Sequence, residues 1–170
     1  MKKINVSAEH SYDVLIGEFD IDHLKPLLKD CSKVALLYPS EISGMIDQIS
    51  AEWDLSVELI TIELPEGESQ KSADVLIEIW NTLSEHNFSR TDWIIGIGGG
   101  ATTDLAGFAA ASWLRGVNWV SVPTSVAGMV DAAIGGKTGI NIPSGKNLVG
   151  AFHSPRMVFA DPNFLETLPI

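Results

Sequence analysis

One cysteine, Cys31, and four histidines are all that this 170-residue chain offers as thiol or imidazole metal ligands. A single thiol excludes an intrachain disulfide and a cysteine-based metal cluster. With no base beside it, Cys31 reads as a small residue ahead of a strand rather than as a nucleophile. His10, His23, His86 and His153 are scattered singly, which reads as surface or structural use and speaks against a zinc site within the chain. Basic residues are also scarce: 11 Lys and Arg stand against 22 Asp and Glu, a formal net charge of −11. Nucleic-acid binding needs a basic footprint and is not expected. A few focused lysines can still hold a small anion in an acidic protein. No apolar run is long enough to span a bilayer, so no membrane partner is expected. The N-terminus, Met1-Lys2-Lys3-Ile4-Asn5-Val6, turns polar within a few residues and has no hydrophobic signal core. A cytoplasmic location is the expectation.

What the chain does have is a high apolar content, 45%, with aromatics spread along its length. One globular domain over residues 1–170 follows. Val14 to Gly17 reads as a short strand ending in a turn. Ile21 to Leu28 reads as a short helix despite Pro26. Val34 to Tyr38 is an apolar run closed by Pro39, hence a buried strand. Glu41 to Ile49 has helical spacing, and Val57 to Leu64 alternates like a strand. Ser72 to Leu83 is the clearest amphipathic helix, with Val75, Leu76, Ile79, Trp80 and Leu83 on one face. Trp93 to Ile97 and Val117 to Val122 read as buried strands around a small-residue helix from Thr103 to Leu114. Strands alternating with helices imply crossover units and a parallel sheet. The stretch from Ala127 to Gly150 is dense in glycine and reads as an irregular site wall or functional loop.

Four motifs carry chemistry. Gly96-Ile97-Gly98-Gly99-Gly100-Ala101-Thr102-Thr103-Asp104 runs from a buried strand into a helix. Glycines there let backbone N–H groups approach a pyrophosphate, and the helix start adds positive potential. The spacing departs from the usual G-x-G-x-x-G, and a tight turn capped by Thr102 or Thr103 is an alternative. Asp104, in the first helical turn, either complements the dipole or binds a ribose or amide. Pro65-Glu66-Gly67-Glu68-Ser69-Gln70-Lys71-Ser72 reads by itself as a turn and helix start, with Glu68 and Lys71 a surface pair. Val122-Pro123-Thr124-Ser125 leads to Asp131 and Gly135-Gly136-Lys137-Thr138. Gly145-Lys146-Asn147 follows. Lysines and an asparagine among glycines make a plausible phosphate site.

Together these residues resemble the 3-dehydroquinate synthase family, from about Pro65 onward. The most specific stretches are Gly98 to Phe108, Val130 to Thr138 and Gly145 to Phe152. The resemblance implies an α/β fold with a Rossmann-like, mostly parallel sheet flanked by helices, forming the NAD-binding N-terminal domain. It implies an NAD- and divalent-metal-dependent carbon–oxygen lyase of the shikimate pathway, acting on 3-deoxy-D-arabino-heptulosonate 7-phosphate. By the resemblance, Glu68 and Lys71 face the adenosine side of NAD. Gly99, Gly100 and Asp104 hold its pyrophosphate and nicotinamide region. Thr124, Ser125, Phe164, Thr167 and Leu168 complete the pocket, and Lys146 lies at the cofactor–substrate junction. Asp131 meets a substrate hydroxyl, and Lys137 and Asn147 hold the substrate phosphate. Arg115 matches an arginine that reaches the neighbouring subunit's phosphate, so a homodimer of the full-length protein is expected.

The pattern departs in places. Val126-Ala127 stand where the family usually has two leucines. The acidic residue often found after the first buried strand is absent around Tyr38-Pro39-Ser40. The family's metal ligands, a glutamate and two histidines for zinc or cobalt, belong to a helical C-terminal domain beyond Leu168. The chain is therefore expected to be the N-terminal part of a longer protein and inactive alone. A related sugar-phosphate cyclase is one alternative; Gly135-Gly136-Lys137 argues against it. A non-catalytic nucleotide-binding module is another; the second phosphate site argues against that.

Overall fold

The computed structural model describes residues 1–53 and 56–167. Its centre is a seven-stranded sheet in the order β1-β2-β9-β6-β5-β3-β4. The strands are β1 (Lys2–Ser7), β2 (Ser11–Ile16), β3 (Lys33–Pro39), β4 (Glu58–Leu64), β5 (Trp93–Gly98), β6 (Asn118–Pro123) and β9 (Met157–Ala160). Every pairing is parallel except β1 with β2. The Rossmann-like, mostly parallel sheet implied by the resemblance is the one observed.

The buried strands are apolar on both faces, as a sheet covered by helices on each side requires. Side chains alternate faces with period two. Ala35 and Leu37 of β3, Ile94 of β5 and Trp119 of β6 meet Leu76, Ile79 and Leu83 of α2 (Ala73–Glu85) and Leu105, Ala106 and Ala109 of α3 (Gly100–Ser112). Val34, Leu36, Ile95, Ile97, Val120 and Val122 point the other way, toward Ile46 of α1 (Ser43–Ala51) and toward Leu24 and Leu28. The helix α2 begins at Ser72, whose Oγ accepts from Val75 N–H.

Four expectations change. Ile21 to Leu28 is a single 3₁₀ turn, Ile21–His23, followed by irregular turns. Pro26 has no N–H to donate, so an α-helix cannot propagate through it. The segment after Ala127 is more regular than a loop: a π turn over Gly128–Ala132, then a hairpin of β7 (Lys137–Ile142) and β8 (Gly145–Phe152). The hairpin lies on α3 because Gly107 has no side chain; a Cβ there would stand 2.4 Å from Thr138 Cγ2. Helix α3 starts at Gly100, three residues before the expected Thr103, and ends at Ser112. The strands β1 and β9 had no counterpart in the sequence reading. Among the described residues no helix is long and apolar enough to cross a membrane.

Candidate functional site

The strands β3, β4, β5 and β6 run parallel, so the connections that follow them leave the sheet at one edge. Open α/β sheets bind ligands at this carboxyl edge. There β5 passes into α3 through Gly99, which caps the helix with no side-chain hydrogen bond. Thr103 Oγ1 donates to Gly99 O at 3.2 Å instead of accepting from an N–H. Thr102 Oγ1 is buried without a partner. The threonine cap weighed in the sequence is not formed, and the first-turn N–H groups keep their positive potential. Packing keeps the approach tight: a Cβ on Gly98 would meet Thr102 Oγ1 at 2.4 Å, and one on Gly100 would meet Ala132 at 3.3 Å. A Cβ on Gly99 would touch only Ser125 Oγ, at 3.6 Å.

The earlier start of α3 moves Asp104 out of the first turn. It faces Lys71 instead of the helix end. Lys71 is not the surface residue suggested by its motif in isolation; it is only 4% exposed. Its Nζ donates to Asp104 Oδ2 at 2.7 Å and to Asn147 Oδ1, with Glu68 Oε1 at 3.9 Å. A buried ammonium is tolerated only when paired in this way. Burial holds the Asp104 carboxyl above its ordinary range, outweighing the Lys71 hydrogen bond and charge that pull it down. Glu68 is held below its ordinary range, first by the hydrogen bond from Asn141 and then, against burial, by Lys71 and Lys146. Lys146 Nζ stands 3.7 Å from Glu68 Oε1.

A second cluster faces this one. Lys137 Nζ donates to Asp131 Oδ1 at 2.6 Å, and that hydrogen bond raises the ammonium above its ordinary value. Both side chains are exposed. A cavity of about 430 Å³ joins the clusters, with Asp104, Asp131, Lys137, Asn147, Leu148 and Phe152 in its wall. A hollow of about 570 Å³ elsewhere is lined by Glu18, Asp20, Asp22 and Glu52 and by no lysine or arginine. Its acidity suits no phosphate.

Lysine can only donate, so the carbonyl end of the Asn147 amide is the end turned to Lys71. Its Nδ2 group is left to serve as a donor. Asn147 itself is left-handed, with φ +55°.

The remaining candidates divide. Thr124 is buried, and its N–H donates to Gly98 O at 2.8 Å; Ser125 Oγ accepts from Gly128 N–H at 3.1 Å. Both adjoin the glycine loop. Phe164 lies in the 3₁₀ turn Pro162–Thr167, with its ring 6.3 Å from that of Phe19. Thr167 ends that turn, and Leu168 lies outside the described residues. Arg115 is not brought to the cluster. It follows the far end of α3, about 20 Å from Gly99 at 1.5 Å per residue. Leu114 and Arg115 are both left-handed there, with φ +47° and +68°.

The sequence reading missed two contributors. Ser40 Oγ donates to Glu66 Oε1 at 3.3 Å, so the neighbouring connection brings a carboxylate to the end of β3. Asn141 was passed over because it is one of several polar residues in a strand of mixed polarity, with nothing local to mark it. Among the described residues no three His, Cys, Asp or Glu side chains converge to hold a metal. His153 Nε2 is bound to Val117 O and His10 Nε2 to Pro155 O. Burial pushes the Cys31 thiol up to about 11, as an inert cysteine requires.

Residues 61–170 match the family model described as 3-dehydroquinate synthase N-terminal. The 3-dehydroquinate synthase of Streptomyces avermitilis is 47% identical over 161 residues, covering 94% of this chain and 44% of the relative. A structure of 2-deoxy-scyllo-inosose synthase with carbaglucose-6-phosphate, NAD+ and Co2+ superposes with a TM-score of 0.87 at 25% identity, over 96% of this chain and 47% of that one. The 2-epi-5-epi-valiolone synthase of Streptomyces hygroscopicus, with NAD+ and Zn2+, gives 0.80 at 28% identity, over 97% and 47%. The chain thus spans about half the length of the curated relatives it matches.

Proposed function

The chain belongs to the 3-dehydroquinate synthase family, and from that premise we propose that residues 1–170 are the NAD-binding N-terminal domain of such an enzyme. The reaction proposed for the whole protein converts 3-deoxy-D-arabino-heptulosonate 7-phosphate to 3-dehydroquinate and phosphate. The observation that carries this reading is the pairing of two half-sites across one cavity. An uncapped helix start beside Lys71 and Asp104 suits a dinucleotide, and Lys137 with Asn147 suits a second, separate phosphate.

When bound, NAD would supply a hydride acceptor for the carbon that bears a substrate hydroxyl. The N–H groups after Gly99 and Gly100 would hold the pyrophosphate, with Asp104 close to the nicotinamide side. Lys71, bonded to Asp104 and Asn147 with Glu68 beside it, would serve the nicotinamide side rather than the adenosine side that the resemblance implies. Thr124 and Ser125 would floor the pocket, and Lys146 would lie at the junction with substrate. By the resemblance, Phe164, Thr167 and Leu168 would complete the cofactor pocket. Lys137 is charged at neutral pH as an ordinary ammonium is, Asp131 raises its value further, and it would hold the phosphate together with Asn147 Nδ2. Asp131 accepts a substrate hydroxyl. Arg115 serves the partner's site in a homodimer, which accounts for its distance from its own cluster. The described residues do not fit a divalent metal; zinc or cobalt is assigned to ligands in the second half of the whole protein. A soluble, cytoplasmic enzyme acting on a small sugar phosphate is the whole-protein reading.

Calorimetric titration of the chain with NAD+ tests this. Binding is expected, and Gly99→Val is expected to weaken it at least about tenfold by blocking backbone approach. A folded chain that ignores NAD+, or a Gly99→Val protein that binds it equally well, sinks the proposal. The chain alone is expected to make no dehydroquinate, and turnover by these 170 residues would overturn the half-site assignment. A second reading, another sugar-phosphate cyclase, draws on the structural likeness to two such enzymes. The 47% identity to a 3-dehydroquinate synthase favours the first. Joining the chain to that relative's second half and offering competing sugar phosphates would separate them.

A further inference from the structure

Three hydrogen bonds of Asn141 reach two parts of the site. Its backbone N–H donates to Lys71 O at 2.8 Å. Its Nδ2 donates to Glu68 Oε1 at 2.7 Å. Its Oδ1 accepts from Asn147 N–H at 2.9 Å. The amide orientation is unambiguous, because a carboxylate only accepts and a backbone N–H only donates. The first two bonds hold the connection after β4. The third holds the start of β8, where the pairing with β7 is irregular, at the residue whose backbone is left-handed. A non-glycine residue in that conformation persists only where its surroundings hold it.

We infer that Asn141 is a positioning residue. It clasps the Glu68–Lys71 segment to Asn147, so that the Asn147 carbonyl meets Lys71 and its Nδ2 faces the phosphate cavity. The clasp ties the dinucleotide side to the phosphate side, and this assignment of sides rests on the function proposed above. Neither Lys71 nor Asn147 could shift without breaking a bond to the other or to Asn141. The lowered Glu68 carboxyl agrees with this geometry, since the Asn141 hydrogen bond is its largest cause.

The test is a swap. Asn141→Asp keeps size and shape, so the fold should survive, but it replaces the donor facing Glu68 with a second carboxylate. The pair repels, and the Asn147 N–H loses its aligned acceptor. Asn147 amide exchange should quicken about tenfold, the size expected for one hydrogen bond to a charged or aligned group. Adding Glu68→Gln restores the contact with donor and acceptor exchanged, and exchange at Asn147 should return to the wild-type rate. A merely space-filling Asn141 would show neither change. Unaltered exchange in Asn141→Asp, or no recovery in the double variant, overturns the clasp. NAD+ titration provides the second arm: Asn141→Asp should bind about tenfold more weakly than wild type, and equal affinity removes the link to the dinucleotide side. If the wild-type chain itself fails to bind NAD+, the functional reading falls, and the exchange measurement still judges the clasp.

Discussion

Two aspartates mark opposite ends of the sheet and are used in opposite ways. Asp92 precedes β5 at the amino edge and is completely buried. It accepts from Ser32 N–H and Oγ, Lys33 N–H, and Ser89 N–H and Oγ, all between 2.7 and 3.1 Å. These donors hold its carboxyl below the ordinary range although burial alone would raise it. Asp104, at the carboxyl edge, has one partner, Lys71, and burial wins. The first carboxylate closes the β3–β5 junction and has no capacity left. The second is left under-satisfied beside a cavity. A charge kept short of partners in a cleft is the mark of a site built for a ligand, and a fully satisfied one is the mark of structure.

The same substitution at both positions should break the symmetry most visibly. Asp92→Asn turns one acceptor into a donor facing Ser89 N–H and Oγ, and should cost about 2–4 kcal/mol in chemical denaturation. Asp104→Asn removes a carboxylate whose burial already outweighs its attraction to Lys71, and the buried ammonium keeps the amide oxygen, Asn147 Oδ1 and the Glu68 charge at 3.9 Å. Its stability should stay within about 1 kcal/mol of wild type, while NAD+ affinity falls at least about tenfold. Comparable stability losses at both sites would erase the distinction.

Acid titration sharpens the comparison by sign. With its folded value depressed, Asp92 stabilises fully above the unfolded value of about 3.9, and that stability is lost as pH falls through the lowered value. Asp104, with its folded value raised, does the reverse: between the unfolded and folded values the native state binds more protons, so stability declines as pH rises through that window. Denaturation midpoints against pH should therefore show a shallower acid-side drop in Asp92→Asn, the remainder coming from other depressed carboxylates such as Glu68. Above pH 4, the opposing slope should vanish in Asp104→Asn. The smallest effect belongs to the exposed partner across the cavity. Lys137→Gln should leave the unfolding midpoint unchanged, because exposed pairs contribute little, yet abolish the inorganic-phosphate binding that NMR shifts are expected to report for the wild type.

Much of the fold was legible because its strongest signals are local. The continuous apolar runs of β3, β5 and β6 could only be strands buried on both faces, and α2 announced itself by period and by Ser72. What escaped was set by distant partners. β1 is exposed along nearly its whole length and is a strand only because β2 offers it an edge. β8 is similarly exposed and exists because β7 pairs with it. The glycine loop was visible from its residues, but the helix start was placed three residues late, which put Asp104 in the first turn and left a dipole role open beside ligand binding. Lys71 looked like half of a surface pair because its real partners lie 33 and 76 residues away.

By itself, the sequence determined the alternation of strands and helices, the glycine turn at the end of β5 and the inventory of lysines, aspartates and asparagines able to meet phosphate. Those follow from apolar period, backbone freedom and side-chain chemistry, which are properties of neighbouring residues. Only the tertiary structure decided that Lys71 is buried, that Asp104 lacks full compensation, that Asn147 turns its carbonyl to Lys71 and that Asn141 joins them. Each depends on which groups far apart in the chain share one low-dielectric space, and on whether enough donors arrive there to satisfy the charge.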